Sequence, residues 1–128
     1  MNKFEKLVAE YENELDIEER KMSCDGLYCD NVIWINDKMT YAEKLSVVAE
    51  EIGHYKTTTG NILDLTTIAN IKQELDARRW AFEKVIPFKD VQHALENGIV
   101  EIYDLAEHFE VTEDFMKECL KHYKLLEI

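Results

Sequence analysis

Apolar residues recur along this chain with two different periods. Phe4, Leu7, Val8, Tyr11 and Leu15 fall three and four residues apart, which predicts an amphipathic helix over Phe4–Leu15. Asp25-Gly26 marks a turn. From Leu27 to Ile35 the pattern becomes β-rich, with Tyr28, Val32, Ile33, Trp34 and Ile35, and is broken by Asp30-Asn31. That break predicts a strand pair or one bent strand, ended at Asn36-Asp37.

The helical period then returns. Thr40-Tyr41-Ala42-Glu43 has the form of a capping box, in which the threonine hydroxyl accepts from the Glu43 N–H and the Glu43 carboxylate reaches back. A helix should run from there to about Lys56, closed by a turn at Thr57-Thr58-Thr59-Gly60-Asn61. A second long helix is expected from Thr67 to Ile86, where Pro87 stops it. Three shorter helical patterns follow, near Lys89–Glu96, Ile102–Phe109 and Glu113–Tyr123. The fold class is therefore α+β, mostly α, with a small sheet near the front. A single domain is expected over 1–128, divided into a core at 1–87 and a C-terminal helical subdomain at 88–128.

Composition narrows the function. At 128 residues, 46% hydrophobic and 33% charged, the chain has the make-up of a globular protein able to bury its own core. No apolar run approaches the roughly 20 residues of a membrane span, and the N-terminus lacks the form of a secretory signal. Cytoplasmic residence is the expectation. The formal charge of −12 opposes binding to phosphate backbones. Cys24, Cys29 and Cys119 are odd in number, and the lone C-x4-C pair has no second half, so ordinary reduced thiols are expected.

Two helices carry candidate chemistry. On the first, Leu45, Val48, Ala49 and Ile52 share the apolar face, while Glu50 and His54 sit four apart on the opposite side. That spacing lets two side chains chelate one ion, and the neighbouring Glu51 can address a metal-bound water. The pattern is also that of a plain solvated face. Gly53 inside the helix costs roughly 1 kcal/mol relative to alanine, which points to close packing or to an approach path beside His54. On the second helix, Glu74 falls among Ile71, Leu75, Arg78, Ala81, Phe82 and Val85, on the apolar stripe, with Asp76 on the opposite side. A carboxylate there needs a partner: Arg78 or Arg79 in an ion pair, or a metal. His93, His108 and His122 have no paired ligand spacing and read as surface or helix-end histidines.

The run Val48-Ala49-Glu50-Glu51-Ile52-Gly53-His54-Tyr55, then Gln73-Glu74-Leu75-Asp76-Ala77-Arg78-Arg79-Trp80-Ala81 and Ile86-Pro87, resembles the ImmA/IrrE metallopeptidase family. The likeness runs from about Leu27 to the C-terminus. It implies a zincin-like metallopeptidase domain holding Zn2+, in which Glu51 matches the catalytic glutamate and His54 the second zinc histidine. Glu74 matches the acidic third ligand, with Asp76 as the fallback position. Glu50 replaces the first histidine, as in the Glu-Glu-x-Gly-His variant of prophage-encoded members. Carboxylate oxygen is still a zinc donor, but the extra negative charge should make a bound water less acidic, so weak or conditional activity is expected. Tyr28, Tyr55 or an arginine is available as oxyanion stabiliser.

The resemblance further implies a phage or mobile-element regulator in a bacterial host. Such a regulator acts on a helix-turn-helix repressor by site-specific cleavage, or as a non-catalytic antirepressor that binds it stoichiometrically. The C-terminal segment Tyr103-Asp104-Leu105-Ala106-Glu107-His108-Phe109, with Val111-Thr112, Phe115 and Leu120, resembles a helix-turn-helix pair. Its many acidic residues suit a protein contact and not DNA.

Overall fold

A computed structural model describes residues 1–57 and 67–126. Beyond Thr57, the turn expected at Thr57-Thr58-Thr59-Gly60-Asn61 lies outside the described residues. The first helix, α1, spans Lys3–Glu10. It starts where Asn2 and Glu5 exchange hydrogen bonds: the Asn2 side chain accepts from the Glu5 N–H at 2.8 Å and Glu5 accepts from the Asn2 N–H at 3.0 Å. Helix α1 stops short of the expected Leu15. Tyr11 caps it, and the Leu15 N–H donates back to the Tyr11 carbonyl at 2.8 Å, so Leu15 reaches the core from a turn.

Three strands follow: β1 at Asp16–Arg20, β2 at Gly26–Cys29 and β3 at Val32–Asn36. Their order is β1-β3-β2, with β1 parallel and β2 antiparallel to β3. The expected strand pair is thus a hairpin. Asp30 and Asn31 form its turn with φ of 47° and 65°, a left-handed region that Asp and Asn tolerate better than other side chains. Strand β1 has no counterpart in the sequence reading. Its Asp-Ile-Glu-Glu-Arg run contains one apolar residue, and the strand exists because β3 pairs with it. Its Glu19 accepts from the Nζ of the buried Lys44 at 2.6 Å, so even a charged position serves the sheet–helix interface.

Helix α2 spans Tyr41–Thr57 and begins with the capping box read from the sequence. The Thr40 N–H donates to Glu43 at 3.0 Å and the Glu43 N–H to the Thr40 hydroxyl at 3.2 Å. These bonds hold the Glu43 carboxyl below its ordinary range. Helix α3 spans Thr67–Val85, and Pro87 caps α4 at Phe88–Glu96. Helix α5 covers Ile102–Phe109 and α6 covers Glu113–His122. Glu110 ends α5 in the left-handed conformation, and the Thr112 hydroxyl accepts from the Phe115 N–H to start α6.

Helix α2 covers one face of the sheet and α3 packs along α2. Ile33, Ile35, Leu45, Val48 and Ile52 are fully buried there, in the same apolar cluster as Val91, Leu105 and Met116 from the last three helices. No described helix is long and apolar enough to cross a membrane.

Candidate metal centre

The site lies along the seam between α2 and α3. Gly53 sets how close the two helices come. A Cβ at Gly53 would stand 2.3 Å from the Ala77 carbonyl oxygen, so only glycine allows this approach. The side chains flanking that contact meet in pairs. One turn before His54, Glu50 Oε1 accepts from Arg78 Nε at 3.0 Å. At the other end, His54 Nε2 stands 3.3 Å from Glu74 Oε1. As the number rises on α2 it falls on α3, so the helices run antiparallel. The histidine is well covered, its side chain 19% exposed, while Glu74 is 60% exposed.

Glu51, on the same helix, lies beside these rungs on the side toward the sheet. A Cβ on Gly26 in β2 would lie 3.5 Å from Glu51 Cγ and 2.5 Å from Val47 Cγ1, so a side chain at Gly26 would press on this part of α2. Burial pushes the Glu51 carboxyl above its ordinary range; the negative charges of Glu50 and Glu74 push the same way, against His54. A carboxylate shifted upward by desolvation next to charged neighbours is a frequent mark of a functional site. Tyr28 of β2 and Tyr55 of α2 pack edge to face at 6.3 Å, and burial raises the Tyr28 hydroxyl.

Glu74 differs from its expected place. It is not on a buried stripe, because Ile71 and Leu75 are themselves 55% and 42% exposed. Among the α3 side chains described, the buried ones are Ala77, Ala81, Phe82 and Val85. Neither arginine pairs with Glu74 in the way its helical spacing suggests. Arg78 crosses to Glu50, and Arg79 stands 4.0 Å from Asp76. Arg79 is thus the ion-pair neighbour of Asp76, the fallback ligand position.

The Arg78–Glu50 contact is the feature of the site that sequence reasoning missed. Arg78 is visible in the sequence only as a neighbour of Glu74, and its real partner depends on the register of two helices distant along the chain. The remaining histidines lie elsewhere: His93 beside Asn97, His108 against Phe109, and His122 at 4.0 Å from Glu83. Cys24 and Cys29 are exposed, and Cys119 is buried.

In chemical type, one imidazole and two carboxylates suit zinc. In placement they fit only in part. His54 and Glu74 face one another across the seam, whereas Glu50 is engaged by a guanidinium. Among the described residues no three His, Cys, Asp or Glu side chains converge on one point.

No curated protein and no solved structure matches the chain. The model of the IrrE N-terminal-like domain, a peptidase family, matches residues 5–121 and so extends the likeness forward from Leu27 to include α1 and β1. The chain belongs to the IrrE N-terminal-like family of metallopeptidase domains.

Proposed function

We propose that this chain is a zinc-dependent endopeptidase-like regulator that cleaves a helix-turn-helix repressor at a specific site. It would act in the cytoplasm of a bacterium carrying a prophage or mobile element. The observation that carries this reading is Glu51, a half-buried carboxylate with a raised pKa, one helical turn from the facing pair His54–Glu74. In this reading His54 and Glu74 hold the metal, and Glu50 is the third candidate donor. When bound, zinc supplies Lewis-acid polarisation of the scissile carbonyl.

The work of the chain's own residues is proton transfer and positioning. Glu51 takes a proton from the attacking water as the oxygen bonds to the carbonyl carbon. It then delivers that proton to the amide nitrogen as the C–N bond breaks. A carboxyl raised above its ordinary range is better matched to both halves of this cycle than an exposed one. Tyr28 and Tyr55, which pack on one another between β2 and α2, are proposed to donate to the developing oxyanion. The acidic C-terminal helices α4–α6 would contact the repressor and not its operator.

The experiment is incubation of the purified protein and zinc with its cognate repressor, in parallel with Glu51→Gln. Loss of a general base should slow cleavage about 10²–10⁴-fold. Equal cleavage by both proteins would remove Glu51 from the role. A second reading, a non-catalytic antirepressor that binds the repressor stoichiometrically, is favoured by the Arg78 guanidinium on Glu50. It predicts a one-to-one complex that survives both Glu51→Gln and chelation.

A further inference from the structure

We infer that Arg78 sets the metal affinity of this centre by holding Glu50 out of the donor set. The inference rests on the metal reading of His54 and Glu74, and concerns a residue which that reading leaves without a role. Glu50 lies one turn before His54 on α2, and Arg78 one turn after Glu74 on α3. The close Gly53–Ala77 contact fixes the helices between these positions. Arg78 Nε thus meets Glu50 Oε1 at 3.0 Å, on the same seam and within one turn of the histidine.

A guanidinium stays charged across the physiological range, so no pH change there releases Glu50. The pair is half exposed, its side chains 46% and 32% accessible, and such pairs are weak enough for a dication to displace. An arriving ion therefore has two options. It rests on His54 and Glu74 alone, or it draws Glu50 away from Arg78 against an opposing charge. Either way Arg78 lowers affinity, and it does so through Glu50.

The test is zinc affinity, measured on the full chain by competition with a chromophoric chelator. Arg78→Ala and Arg78→Gln should each bind zinc about fivefold more tightly than the wild type, the return from releasing a half-exposed ion pair. In a Glu50→Gln background the same substitutions should change affinity by no more than about twofold, the scatter of independent effects. Unchanged affinity in the single variants overturns the inference. So does an equal gain in the Glu50→Gln background, since Arg78 would then act as a nearby charge and not through Glu50. His54→Ala and Glu74→Gln separate the two levels. If both bind zinc as the wild type does, or if no variant binds any, the metal reading falls and the inference with it. If both lose zinc while Arg78 variants are silent, only the inference falls.

Discussion

Glu51 is held where its charge is disfavoured, and this has a consequence for stability separate from catalysis. Its folded-state pKa is raised, chiefly by burial. Below the ordinary carboxylate range it is neutral in both folded and unfolded chains and carries no penalty. As pH rises through the folded value, the folded protein must bear a desolvated charge and loses stability. Glu51→Gln should therefore match the wild type in melting temperature at the acid end and exceed it at neutral pH. A wild type that is the more stable of the two at neutral pH would contradict the burial argument. The thiols offer a second check at this scale. Burial pushes Cys119 up to about 12, while Cys24 and Cys29 are exposed. Titration of the native protein with a thiol reagent at pH 7 should show fast reaction at Cys24 and Cys29, and reaction at Cys119 only on unfolding. Glu50, Glu51 and His54 were legible as candidates because spacing on one helix is a local property, and the structure sets Glu74 of the next helix 3.3 Å from His54. The partner of Glu50 was not legible, because a carboxylate and a guanidinium on different helices have no shared local signal.

Among the elements, local chemistry again decided what could be read. The Thr40–Glu43 capping box and Pro87 gave helix ends close to those observed, since caps and prolines act through bonds within a few residues. The Asp30-Asn31 hairpin was similarly visible. Strand β1 was not: four of its five residues are charged, and only pairing with β3 makes it a strand. The wheel of α3 grouped Glu74 with Ile71 and Leu75 and could not show that all three are exposed. Gly53 was read as a close-packing signal, and its approach to Ala77 gives that a sharp test. Alanine at Gly53 gains about 1 kcal/mol in helix propensity, but its Cβ would fall 2.3 Å from a carbonyl oxygen that belongs to the backbone. Overpacking costs typically 1–3 kcal/mol, so Gly53→Ala should be net destabilising in urea denaturation. Stabilisation would show that the helices separate freely.

On the scale of the whole molecule, the C-terminal helices are tied to the front by specific contacts. The Tyr123 hydroxyl donates to the Ile86 carbonyl at 2.7 Å, and Phe82 packs edge to face on Phe115 at 5.1 Å. Lys3 of α1 sits 5.0 Å over the Phe109 ring, and its N–H donates to Glu110. A fragment ending at Pro87 would expose the faces of Phe82 and Ile86 that these contacts cover. It should lack the cooperative thermal transition of the full chain by circular dichroism; a sharp two-state melt for residues 1–87 would show that the front half folds alone.

Helix α2 carries the sheet and α3 carries the tail, so their alignment positions one half against the other. The two side-chain rungs disfavour misalignment in both directions. Sliding α3 by one turn one way would bring Glu74 opposite Glu50, carboxylate against carboxylate. Sliding it the other way would set Arg78 opposite His54, replacing an attractive partner with a cation. The side chains that bracket Gly53 thus act as a key that favours one alignment of the two halves over its neighbours.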